Sequence, residues 1–477
     1  MFKHTLSLVA SATLVASLGA DTLTLEPIVV SAIRTEQTLA STTANVQIIT
    51  AHELEDKHIT SVIDALRTFT SISIAQSGGL GQQTSFFQRG FASANTVVMI
   101  DGIRYNDPTT TQGQAQLEHL MVNNIERIEV INGAQSGIWG ANAVAGVINI
   151  ITKKPTEKLE ITANTEHGSF ATNKLGVAVS QKINNLSYYI GANQITSNSF
   201  SSSTPKGEKP DSYESDGYKN QTVNAKIFYD LNANDTVGAQ FNFIDAKTQY
   251  DPYNAPNGSN RETSQINRLG NITYHHKLNS EDTIDASYAI TAFSKTDPLG
   301  YSPVFNGNNK EFNGQIKYHY IPDGFVVAGV NTLDSKDTIR AKELQSKGLF
   351  LTNTNRLDQL ILTESVRYDS YDLFKDKATG KIGAKYFLAD DIALSANYGT
   401  AYRVPSLFEL YAGYYGNPNL LPETTKSFDT TLQYSQLSLT YYNNIVDNLI
   451  GFNRFTYVNE AAGHDGLVHV GKHDGVE

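Results

Sequence analysis

The sequence predicts an all-β outer-membrane barrel preceded by a mixed α/β domain, and three observations predict it. Downstream of Lys153-Lys154-Pro155, runs of about ten residues alternate apolar and polar side chains, the period of a strand with one face in lipid. Tight turn signals separate some of these runs and long polar stretches the others, in alternation. Beyond the N-terminus no stretch reaches the ~18 apolar residues that a membrane-spanning helix needs, and mean hydropathy is −0.31.

The period is clearest where Ile284, Ala286, Tyr288, Ile290 and Ala292 alternate with Asp285, Ser287, Ala289, Thr291 and Phe293. It recurs at Val237 to Phe243 and at Leu437 to Tyr442. Turn signals lie at Asn184-Asn185, Asn232 to Asp235, Asn279 to Asp282, Pro322 to Gly324 and Asp390-Asp391, and polar stretches at 198–220, 251–267 and 400–425. Short turns at one end and long loops at the other describe a barrel rather than a soluble sandwich. Upstream, Thr50 with Glu53 and Ser61 with Asp64 predict two capped helix starts. Extended apolar runs follow at 71–75, 96–100, 125–131 and 147–151, with Gly-rich connectors between them. Gly78-Gly79-Leu80-Gly81 lacks the Lys-Ser/Thr that completes a phosphate-binding loop. Lys3 and His4 ahead of an apolar run that closes on Gly19-Ala20 predict a signal peptide over residues 1–20.

Composition excludes several functions. Of 477 residues, 40% are hydrophobic and only 18% charged, with 25 Tyr and 21 Phe. A net charge of −11 argues against a nucleic-acid binder. The absence of Cys removes thiol catalysis, a thiolate zinc site and disulfides. The eleven His fall on no catalytic spacing. His275 and His276, adjacent in a strand, point to opposite faces, which defeats joint metal binding. The chain is read as no enzyme.

Several blocks carry a family likeness. They are Glu26-Pro27-Ile28-Val29-Val30-Ser31-Ala32, Gln88-Arg89-Gly90-Phe91, Met99 to Arg104, Ile125 to Val130, Gly140 to Ala143, and Gly146 to Thr152. Tyr398 to Pro405 and Asn417-Pro418-Asn419-Leu420 with Pro422-Glu423 follow in order. Together they resemble the TonB box, plug and late-strand signatures of TonB-dependent outer-membrane receptors. The resemblance implies a TonB box and linker over 21–35, a plug over 36–155 in the lumen, and a barrel over 156–477. It implies a monomer in the Gram-negative outer membrane, handled by outer-membrane lipid and the barrel-assembly machinery. TonB, with its inner-membrane energising complex, would supply the energy for import, and an extended, exposed box suits strand addition to that partner. A passive porin would need neither plug nor box.

Two departures accompany the likeness. Asn132-Gly133-Ala134 stands where the family usually has Arg-Gly-Pro, so one of two expected Arg locks to barrel carboxylates is missing and the plug's lock is expected to be weaker. The family barrel has 22 strands, which need nearer ~440 residues. Residues 156–477 supply about sixteen alternating runs and end on Gly475-Val476-Glu477 without a C-terminal aromatic, so a C-terminally incomplete barrel is expected.

Within the family the likeness is greatest to cobalamin receptors. Glu214-Ser215-Asp216-Gly217-Tyr218 and Tyr250-Asp251, with Glu262 or Asn260 near a later acidic position, resemble the calcium-binding loops of that subgroup. Glu214, Asp216, Tyr250, Asp251 and Glu262 are thus the expected calcium ligands, since calcium takes six to eight oxygens. By the plug register Gln83, Ser85, Ala92, Thr110 and Thr111 occupy the ligand-contacting places. A ferric-siderophore receptor is the alternative. The apex stretches 77–85 and 107–116 contain no Arg or Lys, which suits a large, neutral, hydrogen-bonding ligand better than an anionic chelate.

Overall fold

The computed structural model describes residues 29–203, 208–209, 212–251, 261–300, 302–435, 437–460 and 469–474. The expected signal peptide and Glu26, Pro27 and Ile28 of the box lie outside the described residues.

The N-terminal domain is built on a five-stranded mixed sheet. Its spatial order is Val46–Thr50, Ile125–Asn132, Gly146–Thr152, Thr96–Ile100, Ile103–Arg104. Gly146–Thr152 runs antiparallel to Ile125–Asn132 and parallel to Thr96–Ile100. A central strand covered on both faces reads as an unbroken apolar run, and every residue from Gly146 to Thr152 is buried. Val98, Ile100, Ile128, Val130, Ile148 and Ile150 pack with Val62, Ile63 and Leu66 on one face. Val97, Met99, Ile131, Ile138, Trp139 and Val147 pack on the other. Both expected helix starts form. Glu53 N–H donates to Thr50 Oγ1 and Thr50 N–H to Glu53 Oε2, capping Ala51–Asp56. Asp64 N–H donates to Ser61 Oγ at the head of Val62–Leu66. A smaller antiparallel sheet, Ile72–Gln76 with Thr84–Gln88 and Phe91–Ala92, stands beside them. Only glycine fits at position 146: φ is +151°, and a Cβ would lie 2.0 Å from Ile131 O.

A sixteen-stranded antiparallel sheet wraps this domain. It begins with Glu160–Gly168 and continues hairpin by hairpin to Leu437–Asp447, then His469–Asp474. Those two outermost strands do not pair with each other among the described residues. The five turn signals each join consecutive strands. The alternation takes the predicted form: Ile284, Tyr288 and Ile290 are exposed outward, while Ala289, Thr291 and Phe293 are buried inward. Ile227, Phe241, Ile272, Leu349, Val366, Ile382 and Leu439 belong to the same exposed apolar band, which lipid covers. His275 and His276 diverge, one to Asp285 at 2.6 Å and the other to Asp235 at 2.7 Å.

Inward-facing polar residues of the wall meet the domain inside it. Asn267 Nδ2 donates to Tyr105 Oη at 2.7 Å, Asn309 Nδ2 to Asn106 O at 2.8 Å and Asn397 Nδ2 to Thr43 O at 2.9 Å. Ion pairs join Lys226 to Asp101 at 2.8 Å and Arg89 to Asp429 at 3.4 Å. Arg89 also lies over the Tyr442 ring. Asn132 instead bonds inside the plug, donating to Asn45 Oδ1 and accepting from Gln88 Nε2, each at 2.9 Å. The second oxygen of Asp429 accepts from Asn397 at 3.0 Å, so that carboxylate is satisfied with one Arg.

Arg89 and Asp429 are 2% and 5% exposed, so removing one charge strands the other. Arg89→Ala should cost about 3–5 kcal/mol and render the plug protease-sensitive. Arg89→Met with Asp429→Leu should recover most of that loss. Thermal unfolding of the three variants checks this, and an unaltered midpoint in Arg89→Ala would refute it.

Candidate functional site

The hairpin after Thr96–Ile100 leads into a loop, residues 104–114, that rises toward the long-loop end of the barrel. Its shape is locally determined. Asn106 Oδ1 accepts from Val98 N–H at 2.9 Å, and Asp107 Oδ1 accepts from both Thr109 N–H and Thr109 Oγ1 at 2.8 Å. Burial pushes the Asp107 carboxyl up to about 6, against those two bonds. Beside the loop, the short helix Ser136–Trp139 ends at Gly140, whose φ is +81° and where a Cβ would come within 3.2 Å of the Arg367 guanidinium. Barrel residues close the ring: Val404 N–H donates to Asn142 Oδ1 at 3.2 Å, and Ser406 Oγ to Thr111 O at 2.8 Å.

Between plug and wall lies a narrow cleft of about 70 Å³. Its lining includes Arg104, Trp139, Asn309, Asn331, Arg367 and Tyr371, with Ser406 and Leu407 at the rim. Asp369 joins these groups. Its Oδ2 accepts from Arg367 Nε at 2.7 Å and from Tyr402 Oη at 2.7 Å, and Tyr402 meets Tyr371 at 2.8 Å. The cleft offers a ligand aromatic rings and neutral hydrogen-bonding groups.

None of the five plug residues expected to touch ligand lines this cleft. Ser85 is exposed on the small sheet, Gln83 is exposed just before it, and Ala92 is half-buried in it. Thr110 is buried with its hydroxyl donating to Asp107 O, while Thr111 is exposed and held through its carbonyl. Sequence reasoning missed Trp139, Arg367, Asp369 and Tyr371 as cleft residues, and treated Arg104 only as part of a strand motif.

The acidic loops converge in part. Asp216 Oδ2 accepts from Ser202 N–H at 2.6 Å, and Asp251 Oδ2 accepts from Ser201 Oγ at 2.8 Å and Ser203 N–H at 3.1 Å. Burial, then the neighbouring Asp251, raise the Asp216 carboxyl. Two expected ligands do not join them. Glu262 faces outward to Lys247 at 3.4 Å, because its strand parity is that of the lipid face. Tyr250 donates to Asp297 Oδ1 at 2.7 Å. Glu214 is half-buried on the Asp216 loop. Among the described residues no group of three acids or histidines is arranged to hold a metal.

At the inner end Val29–Val30 pairs antiparallel with Gln37–Thr38. Ser31 N–H donates to Glu129 Oε2 at 3.1 Å. Ala32 departs from the expected exposed segment: it is fully buried, and its carbonyl accepts from Trp139 Nε1.

The chain matches the family model for the TonB-dependent receptor-like β-barrel over residues 159–477 and that for the TonB-dependent receptor plug domain over 38–147. It belongs to the TonB-dependent receptor family, a class of outer-membrane importers. Among curated relatives it is 28% identical to the vitamin B12 transporter BtuB of Photobacterium profundum, over 91% of this chain and 72% of that one. Among solved structures it is similar to the ferric enterobactin receptor PfeA of Pseudomonas aeruginosa. The TM-score is 0.72 at 18% identity, covering 91% of this chain and 78% of the other. The siderophore receptor PirA of Acinetobacter baumannii gives a TM-score of 0.71 at 17% identity, covering 90% and 74%. At those identities the structures establish the fold.

Two titratable neighbours on the plug face the wall away from the cleft. His119 stacks on Tyr218 with its carbonyl accepting from Asn220 Nδ2 at 2.9 Å, and Glu118 beside it is buried. Burial pushes Glu118 up to about 7 and His119 down to about 3. The raised Glu118 loses stability as pH rises from 4.5 to 7; the lowered His119 loses it as pH falls from 6.5 to 3. Their contributions therefore oppose each other between about 4.5 and 6.5. On acidification across that window, Glu118→Gln should lose thermal stability relative to wild type, and His119→Gln should gain it. Melts at stepped pH check this; parallel profiles for both variants would contradict it.

Proposed function

We propose that this receptor imports cobalamin or a closely related corrinoid. The observation that carries the ligand is the B12-transporter relative, matched over 91% of this chain. The uncharged apex stretches support it. A ferric siderophore is the second reading, favoured by Arg104, Arg367 and Tyr371 in the cleft. Against it, each of those Arg has a carboxylate beside it, Glu311 or Asp369, so the cleft gives little excess charge to a multiply anionic chelate. Gln83, Ser85 and Thr111 would meet ligand from the apex, with Ala92 and Thr110 shaping the plug beneath. Titration calorimetry of the purified chain with cyanocobalamin and with a ferric catecholate separates the readings. Saturable binding of the chelate alone would overturn the cobalamin assignment.

Residues 1–20 act as the export signal, 26–32 as the TonB box, 36–155 as the plug and 156–477 as the barrel. The pairing of Val29–Val30 with Gln37–Thr38 supports a segment already competent for strand addition, which exchanges this short partner for an edge of TonB. Val30→Pro removes a ladder N–H. It should abolish energised uptake while leaving surface binding of ligand intact. Normal uptake by the variant would refute the box.

For calcium at the acidic loops the proposed donor set is smaller than expected: Asp216 and Asp251, with Glu214 on the Asp216 loop, and without Tyr250 and Glu262. A bound cation would supply charge neutralisation between two carboxylates that otherwise repel. Ser201 and Ser203 already orient Asp251, and Ser202 orients Asp216. Chelating calcium should weaken ligand binding, and Asp216→Ala should weaken it equally, with no further effect of chelator on the variant. An affinity indifferent to chelation, read by calorimetry, would leave these acids as ordinary loop residues.

A further inference from the structure

Two spaces between plug and wall lie one beyond the other. The cleft is the outer one. The inner one, a chamber of about 640 Å³, lies at the short-turn end, where its lining includes Lys182, Ser187 and Asp230. Trp139 lines both. The strand Val304–Ile321 runs past both as well: Asn309 lines the cleft, Asn313 and Gln315 line the chamber, and Glu311 is buried between them. From Asn309 to Asn313 is about 13 Å of strand, so the partition between the two spaces is thin. It is built largely from residues 31–34, which precede the matched plug region. The Arg34 guanidinium lies 4.9 Å from the ring centre of Trp139 on the plug and 4.8 Å from that of Phe350 on the wall. Its Nε donates to Ile138 O at 2.8 Å and its Nη1 to Asn313 Oδ1 at 3.0 Å, while its carbonyl accepts from Gln315 Nε2 at 2.9 Å. The Trp139 indole donates to Ala32 O at 3.4 Å. Elsewhere the plug meets the wall with residues of its own, as Tyr105 does at Asn267 and Thr43 at Asn397. Polar groups along this line are also loosely held. Both Glu311 carboxylate oxygens, and Asn271 Oδ1 and Gln240 Oε1 in the chamber lining, have no hydrogen-bond partner among the described residues.

We propose that ligand crosses the barrel along this line, between the plug and strands Arg261–Lys277, Thr283–Thr296 and Val304–Ile321, and that Arg34 is its closure. The inference deepens the import reading and rests on residues 26–32 being the TonB box. Arg34 lies two residues beyond that box, so a pull on the box reaches it before any strand of the five-stranded sheet. The pull parts single hydrogen bonds in turn: Ser31 from Glu129, Ala32 from Trp139, then Arg34 from Ile138 and Asn313. Moving the plug as a body would instead part its bonds to the wall together, which costs their sum at one moment. With Arg34 withdrawn, nothing of residues 31–34 bridges Trp139 to Phe350, and cleft and chamber become one space. Its wall side is then a row of Asn and Gln side chains. Such a wall exchanges hydrogen bonds with a polar solute at little net cost. The route therefore suits a large, neutral, hydrogen-bonding ligand.

The chain has no Cys, so a single thiol can be placed on the route. Ser287 lines the chamber and pairs across the wall with Thr273 and Asn313. Ser395, inward on Ile392–Arg403 and outside the chamber lining, is the control. Each is changed to Cys and coupled through a disulfide to a bulky methanethiosulfonate reagent, with loading confirmed by mass. Cells carrying modified Ser287→Cys should lose cyanocobalamin uptake, keep surface binding, and regain uptake when dithiothreitol removes the group. That recovery separates a blocked path from a misfolded barrel. Modified Ser395→Cys should transport normally. Undiminished uptake with Ser287→Cys modified overturns the route, and an equal block at both positions overturns it in favour of a plug that moves whole. A second arm needs neither ligand nor TonB. In planar bilayers Arg34→Ala should conduct more than wild type, and coupling the reagent to Ser287→Cys in that background should remove the increase. No increase, or one that the modification spares, overturns the closure. An increase that Ser287→Cys blocks, in a receptor that takes up no cyanocobalamin, keeps the route and sinks the cobalamin reading.

Discussion

The inward face of a barrel wall is the constraint on which the rest of this structure depends. A strand that shows lipid one row of side chains must turn the other row inward, and here that row is largely Asn, Thr, Ser and charged residues. A barrel this wide cannot fill its own lumen with those side chains. Their hydrogen bonds must therefore be met by something else. The plug meets them mostly with backbone carbonyls: Thr43, Arg104, Asn106 and His119 each accept from a barrel Asn or Thr. Each such bond contributes only ~0.5–1.5 kcal/mol net. Many weak, similar bonds hold the domain in place while leaving no single one whose loss is prohibitive.

Charge is used sparingly in that seam, and its placement is informative. Lys226 reaches Asp101 near the inner end, Arg89 reaches Asp429 on the wall of the late strands, and Arg104 approaches Glu311 beneath the cleft. Neutral Asn132 bonds to Asn45 and Gln88 instead of to the barrel. The Ser136–Trp139 helix lies between the two ends. Trp139 accepts from Arg104 through its carbonyl, donates to Ala32 through its indole, and lines the cleft. The N-terminal segment at Ala32 and the floor of the cleft thus share one side chain.

Much of this was legible in the sequence because the signals were local. Strand period, turn residues and helix caps are each set within a few positions, so Thr50 with Glu53 and the hairpins at 184–185 and 279–282 could be read directly. The expected calcium ligands failed where locality failed. Asp216 and Asp251 meet because the loops around 201–203 bring them together, whereas Glu262 sits at the start of a strand whose parity sends it outward. The same alternation that predicted the barrel would have excluded Glu262, since Gln265, Asn267, Leu269 and Asn271 set the inward register of that strand.

The cleft was harder to read, and the reason is geometric. Parity alone places Arg367 and Asp369 on one face, because Val366 and Tyr368 between and beside them are outward and apolar. It places Glu311 inward by the same argument, next to outward Phe312. What parity cannot supply is the angle around the barrel. Whether Arg367 meets Asn331, two strands away, or Arg104 on the plug depends on strand tilt and on where the plug docks. An inward charged pair in a barrel strand has nonetheless a restricted set of fates: it must meet the plug, the opposite wall or a ligand. Here Asp369 takes two edges of Arg367, Gly140 leaves room for the guanidinium, and Arg367 lines the cleft between plug and wall. In a barrel with a plug, inward charges that the plug does not fully satisfy are therefore the positions at which ligand chemistry should first be sought.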